Sequence, residues 1–229
     1  MELVSIEIAN KIATITLDNG KVNAISYQVI EELNVALDQA EEAKAVVILS
    51  SARPGILSGG YDLKTMQKSM DDAMALVTEG SKLTRRMLSF PFPIIAACPG
   101  HAVAKGAFLL LCSDYRIGTA GPFKIGLNEV AIGMTMHHAG IEMARGRIPT
   151  NYLNRAVMNA EMFDPETAML AGFLDKVVDG EQLMAEANAV AVQMNTLNMR
   201  AHHATKLKVR KEMLDVMDAA IKTDSTGSL

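Results

Sequence analysis

Tryptophan is absent from this 229-residue chain, and Tyr and Phe together bring the aromatics to only 4%. Methionine is common instead, at 16 residues. Its flexible thioether fills irregular gaps and lines adaptable apolar pockets, which places most of these side chains in the core or at a subunit interface. Only two cysteines occur, Cys98 and Cys112, with no CxxC pair and no Cys/His cluster. They fit reduced, buried thiols in a cytosolic protein better than a disulfide or a metal site. No uninterrupted apolar run approaches membrane-spanning length. The alternating start MELVSIEIANKIATITL lacks the basic stretch and small-residue cleavage site of a signal peptide, so the cytoplasm is the expected location. An excess of positive charge is missing too: the formal net charge is −4, which gives no electrostatic reason to expect nucleic acid.

What is present is a balance of 49% hydrophobic and 21% charged residues, that of a globular protein with a substantial core, long enough for one large domain or two small ones. The first half alternates strands and helices. Residues 3–8 and 11–17 read as two short strands, the second with Ala13, Ile15 and Leu17 on one face. Ser26 is the expected N-cap of a helix to about residue 42, with Val29, Ile30, Leu33, Leu37 and Ala40 along one side. Residues 45–49 read as a buried strand, after which Arg53-Pro54-Gly55 breaks the chain. A second round follows: a helix over 70–89, a strand over 94–97, a loop opening at Gly100, an apolar helix over 106–112 and a strand over 115–118. Beyond about residue 140 the pattern is mainly helical, over 151–160, 165–171, 181–197 and 204–221. The last of these carries Lys206, Lys208, Arg210 and Lys211 and reads as an amphipathic helix with a solvated basic face. The tail, 223–229, is small, polar and expected to fray. These units describe an α/β protein with a helical region appended, and no linker divides it.

Two Gly-containing segments, Ser58-Gly59-Gly60-Tyr61-Asp62 and Gly100-His101-Ala102-Val103-Ala104-Lys105-Gly106, each follow an apolar strand and lead into a helix. Backbone N–H groups at such corners lack intrahelical partners and form anion sites; two that converge make an oxyanion hole. Glycine at a strand–helix corner is also ordinary geometry, and neither segment is a P-loop or a GxGxxG.

The run Ser51-Ala-Arg-Pro-Gly-Ile-Leu-Ser-Gly-Gly-Tyr-Asp-Leu63 resembles the first oxyanion-loop motif of the crotonases, commonly F-S-A-G-x-D-L. Pro99-Gly-His-Ala-Val-Ala-Lys-Gly-Ala-Phe108, followed by Cys112-Ser-Asp-Tyr-Arg-Ile117, is similar to N-G-x-A-x-G-G-G-x-E and its downstream C-D-x-R-I. Ile125-Gly-Leu-Asn-Glu-Val-Ala-Ile-Gly133 looks like the third motif, F/I-G-x-P/N-E-x-x-L/I-G. Three motifs in the same order, over about residues 3–222, identify the chain as resembling the crotonase superfamily, and most of all its Δ3,Δ2-enoyl-CoA isomerases. The resemblance implies an α/β crotonase (ClpP-like) fold, with a core of repeated ββα units over 1–140 and a helical C-terminal region over 141–229 for oligomerisation as a trimer or a pair of stacked trimers. It implies an acyl-CoA substrate, no metal and no separate cofactor, since coenzyme A arrives with the substrate; RNA binding, known for some relatives, is disfavoured by the negative net charge, and the lack of a long apolar run gives no membrane partner.

Carried over by position, the oxyanion donors are the backbone N–H groups of Tyr61 and Lys105. Lys105 stands where the family commonly has Gly, and a positive φ there would strain it. The hydratases of the family use two glutamates; here the first position is Phe108, which can neither take nor give a proton, and the second is Glu129. The isomerases keep only the later glutamate, which moves one proton from C2 to C4. Glu129 is thus the expected base, then acid, with Phe108, Ile132 and Met134 as an apolar surround that raises its pKa. Val22, Ala24, Ser58, Gly60, Asp62 and Leu63 complete the expected substrate contacts. Asp62, Asp114 and Arg116 are expected to fix loop ends. His137 and His138 have no supporting metal ligands at suitable spacing and serve as pocket lining or in structural and interface roles; His101 faces the pocket or packs under its loop, and His202-His203 reads as a surface pair. The basic last helix has a second reading, a contact to coenzyme A phosphates. Two rival functions stay open: a 2-enoyl-CoA hydratase using His101 or His137 in place of the missing glutamate, and a non-catalytic acyl-CoA-binding member.

Overall fold

The computed structural model describes residues 2–226. Strand β1 (Val4–Ala9) turns into β2 (Ile12–Leu17) through Asn10 and Lys11, both at positive φ, the geometry a tight two-residue hairpin requires. Period-two alternation in β2 buries Ala13, Ile15 and Leu17. Ser26 caps α1 (Tyr27–Glu42) through its hydroxyl, which accepts from the Val29 N–H.

Three ββα units follow. Strand β3 (Val46–Ser51) and β4 (Gly55–Ser58) precede the short α2 (Leu63–Met66) and the long α3 (Met70–Ser89); β5 (Ile94–Cys98) and β6 (Gly100–Val103) precede α4 (Lys105–Leu111); β7 (Tyr115–Thr119) and β8 (Ile125–Gly126) precede α5 (His138–Arg147). The first strand of each unit joins a six-stranded sheet ordered β1-β2-β3-β5-β7-β9, the last strand being β9 (Lys176–Val178); the second strands form a separate sheet, β4-β6-β8, parallel throughout. This second sheet corrects the sequence reading, in which the segments at Gly55 and Gly100 are a chain break and a loop. Each strand is only two to four residues long, too short for an alternating pattern to register.

Both faces of the large sheet are covered. Val46, Ile48, Ile95, Ala97 and Ile117 pack with α8 (Leu183–Met194) through Leu183, Ala187 and Ala191. Val47, Leu49, Ile94, Ala96 and Cys98 point the other way, into the main core with α1, α3 and α4.

Helices α6 (Thr150–Val157) and α7 (Pro165–Leu170) lead to β9. The expected single last helix is two, α9 (Met199–Val209) and α10 (Lys211–Ser225), separated at Arg210. Its basic face is not uniformly solvated. Lys206 and Arg210 are buried against the Asp114 carboxylate at 2.7 and 2.9 Å, while Lys208 and Lys211 stay exposed. Lys206 also donates to the Phe90 and Phe92 carbonyls, and Arg210 to that of Leu88. Asp114 therefore fixes the C-terminal helices, whereas Arg116 pairs with Asp175. The expected surface pair His202-His203 is half-buried, His203 lying 3.2 Å from the Ser89 carbonyl. Helix α10 packs on α5 and α3 of its own chain, and the Asp224 carboxylate accepts from the His138 and Ala139 N–H groups at the start of α5, both at 2.9 Å. The expected fraying does not reach Ser225; residues 227–229 lie outside the described residues. Among the described residues no helix is long and apolar enough to cross a membrane.

Candidate active site

The small sheet assembles the site. Tyr61, Lys105 and Glu129 lie just past the carboxyl ends of the three neighbouring strands β4, β6 and β8, so parallel pairing delivers three distant motifs to one rim. The two segments expected to supply the oxyanion donors touch. A Cβ on Gly60 (φ +109°) would lie 3.1 Å from the Ala104 Cβ and 3.8 Å from the Lys105 nitrogen, and one on Gly106 would lie 2.2 Å from the Ser58 carbonyl oxygen. Only glycine permits that approach.

The peptides around Tyr61 are pinned. Ile25 N–H donates to the Gly60 carbonyl at 2.8 Å, Asp62 N–H to the Ile25 carbonyl at 3.0 Å, and Gly60 N–H to the Ser58 hydroxyl at 3.2 Å. The Tyr61 N–H has no acceptor among the described residues. Neither has the Lys105 N–H, which opens α4 and so has no intrahelical partner. Lys105 is not among the residues at positive φ; its neighbour Ala104 is, at φ 50° and ψ −116°, a region that only glycine occupies easily. The strain sits in the residue that aims the second amide.

The Lys105 side chain turns inward and is 1% exposed. Its ammonium donates to the Gly80 carbonyl in α3 and lies 5.5 Å from the centre of the Tyr61 ring. No carboxylate pairs with it among the described residues, and burial pushes its pKa down to about 7, a fall that the nearby Cys112 opposes.

Glu129 leads into a 3-10 turn, Val130–Ile132, that ends at the left-handed Gly133. The glutamate is 7% exposed and its Oε2 has no hydrogen-bond partner. Burial raises its pKa to about 7, in the range useful to a general base near neutrality. Burial, Glu129 and Asp224 all push the Tyr61 phenol upward, placing both carboxylates in its electrostatic neighbourhood. The expected apolar surround is only partly present: Phe108 is buried, Met134 is half-buried, but Ile132 is more than half exposed. Phe108 meets His137 edge to face, ring centres 5.5 Å apart, so His137 lines the interior beside Phe108. Burial lowers its pKa, opposed by Asp224.

The remaining expected contacts divide in two. The exposed Val22 and half-buried Ala24 run beside the first oxyanion segment, where the Val22 carbonyl accepts from Gly59 N–H at 2.8 Å; Leu63 is exposed nearby. Ser58 is fully buried, its hydroxyl donating to the Asn23 carbonyl at 2.7 Å as well as accepting from Gly60, and the Asp62 carboxylate caps α2 through Thr65. Both hold the segment in place. His101 packs on Phe123 and accepts from the Lys124 N–H at 2.9 Å, settling it under its loop. Among the described residues no three His, Cys, Asp or Glu side chains are grouped to hold a metal ion.

Sequence reasoning misses Ala104, Gly80 and Asp224. Ala104 carries a readable signal, a second Ala where the motif commonly has Gly. Asp224 carries none, since it lies in the polar tail and reaches the site only through the packing of α10.

A family model described as enoyl-CoA hydratase/isomerase matches residues 7–227. A crystal structure of an enoyl-CoA hydratase/isomerase family protein from Pseudomonas syringae is 65% identical, with a TM-score of 0.97 over 99% of this chain and 98% of that one. The mitochondrial enoyl-CoA delta isomerase 1 of Mus musculus is 30% identical, covering 93% of this chain and 75% of its own. A probable enoyl-CoA hydratase of Bacillus subtilis is 29% identical over 84% and 76%. With the motif order, the two-sheet ββα architecture and the rim at the ends of β4, β6 and β8, these likenesses establish that the chain belongs to the enoyl-CoA hydratase/isomerase family, the crotonase superfamily.

Proposed function

We propose that the protein is a Δ3,Δ2-enoyl-CoA isomerase with Glu129 as its single acid–base group. The observation that carries this reading is a buried carboxylate without a hydrogen-bond partner on Oε2, combined with Phe108 at the position where water addition requires a second carboxylate. With a 3-enoyl-CoA bound, the thioester oxygen accepts from the Tyr61 and Lys105 N–H groups. Glu129 removes a proton from C2, the electron pair of that C–H bond moves toward the thioester oxygen, and the charge spreads over a dienolate. The same carboxyl returns the proton to C4, leaving the double bond between C2 and C3. No atom is gained or lost, so neither water nor a redox partner is needed. Loss of one oxyanion donor typically costs roughly 3–4 kcal/mol of barrier, which is why two otherwise unused amides support the reading.

The experiment follows conversion of 3-hexenoyl-CoA to the 2-enoyl product. Turnover that falls at least about a hundredfold in Glu129→Gln is expected; no turnover, or turnover indifferent to the substitution, refutes the assignment. His137, in contact with Phe108, favours one second reading: a hydratase in which the imidazole holds the water. Hydration of crotonyl-CoA at a rate comparable to isomerisation would support it, and acyl-CoA binding without any turnover would indicate a non-catalytic member. The reading also includes a trimer or a pair of stacked trimers in the cytoplasm, to be checked by light scattering and fractionation.

A further inference from the structure

The two residues whose amides face the thioester in the proposed function have side chains that meet behind it. The Tyr61 ring lies over α3 so closely that a Cβ on Gly80 would sit 2.1 Å from its hydroxyl oxygen. Lys105 runs beside that ring to the Gly80 carbonyl. One turn along α4, on the same helix face, Phe108 is 1% exposed and packs on His137. A Cβ on Gly140 would lie 2.8 Å from the Phe108 ring and 2.7 Å from that of His137. The space between α3, α4 and α5 behind the amides is therefore filled by side chains in close contact.

We propose that Lys105 and Phe108 form the end wall of the acyl pocket and restrict the enzyme to short-chain acyl-CoA thioesters. The inference rests on the proposed function, with the acyl group running from the two amides beside Glu129 and ending against Phe108 and the Lys105 stem. Lys105 is the specificity-determining element because its long stem occupies volume that a small residue would leave open. The charge serves to anchor that stem on the Gly80 carbonyl, and a methionine would fill similar space without it.

Calorimetric titration of the whole protein with butyryl-, hexanoyl-, octanoyl- and dodecanoyl-CoA tests the wall without requiring turnover, since saturated thioesters have no double bond to move. In the unsubstituted protein affinity rises from butyryl to hexanoyl and then stops rising. In Lys105→Ala the octanoyl-to-hexanoyl affinity ratio increases at least tenfold, given that each newly buried methylene is worth roughly fourfold. Lys105→Met keeps the original profile. Affinity that climbs steadily to dodecanoyl-CoA in the unsubstituted protein, an unaltered profile in Lys105→Ala, or equal relaxation in the Ala and Met variants overturns the proposal. Should Lys105→Ala not fold, Lys105→Val shortens the side chain with less loss of packing and is read the same way. Short-chain binding without conversion of 3-hexenoyl-CoA would refute the isomerase reading alone; binding of no acyl-CoA at all would refute both.

Discussion

Replacing Glu129 by Gln is expected to cut any conversion of 3-hexenoyl-CoA at least about a hundredfold and, in the same protein, to remove a pH-dependent weakness of the fold. The carboxyl is held near pKa 7 by burial against an ordinary value of 4.5. Below about pH 4.5 both folded and unfolded chains carry the proton and the group contributes nothing adverse. Between the two values the unfolded chain releases its proton while the folded chain retains it, so stability falls as pH rises, and above about 7 the loss is complete. The rise from 4.5 to about 7 corresponds to roughly 3 kcal/mol, of which about 2–3 kcal/mol develops between pH 5 and pH 8. The assay is urea unfolding of both proteins at the two pH values. Any pH-independent effect of the new amide cancels when each protein is compared with itself, and every other titrating group is common to both. The decline from pH 5 to pH 8 should be smaller in the variant by about 2–3 kcal/mol, or roughly 4–12 °C in Tm for a chain of this size. Parallel pH profiles would show that the carboxyl is not held protonated by its surroundings, and the physical basis for Glu129 as the base would go with it.

Two further outcomes follow from the packing. Asp114→Ala removes the one carboxylate that pairs with Lys206 and Arg210 among the described residues; leaving buried cations unpaired should destabilise by about 3–5 kcal/mol, and a loss below about 1 kcal/mol in urea unfolding would mean that the pair is solvated. Ala104→Gly relieves a backbone held at φ 50° and ψ −116° and should raise stability by about 1 kcal/mol; destabilisation in the same assay would show that Ala104 is not strained.

Much of this architecture is legible in the chain itself. The alternation in β2, the Ser26 cap and the long amphipathic α1 and α3 are local, so residue spacing alone reveals them. The three motifs and the Phe108/Glu129 contrast are likewise properties of order and chemistry. What spacing conceals is anything made by short or distant partners. The strands of the small sheet are too brief to show a period, yet their pairing is what brings Tyr61, Lys105 and Glu129 together. Lys206 and Arg210 look like solvated charges because a helical wheel does not show Asp114, which lies more than ninety positions earlier.

By itself, then, the sequence determines the fold class, the two Gly-containing loops of the expected oxyanion site and the presence of Glu129 with Phe108 in place of a second acid, because each is written in a contiguous motif. The tertiary structure decides the rest. It puts the positive φ on Ala104 and not on Lys105; the Ala104 N–H donates to the Gly126 carbonyl beside the pairing of β6 with β8. It turns the Lys105 side chain inward, onto the Gly80 carbonyl and beside the Tyr61 ring. It raises the Glu129 pKa, because only packing removes a carboxylate from water.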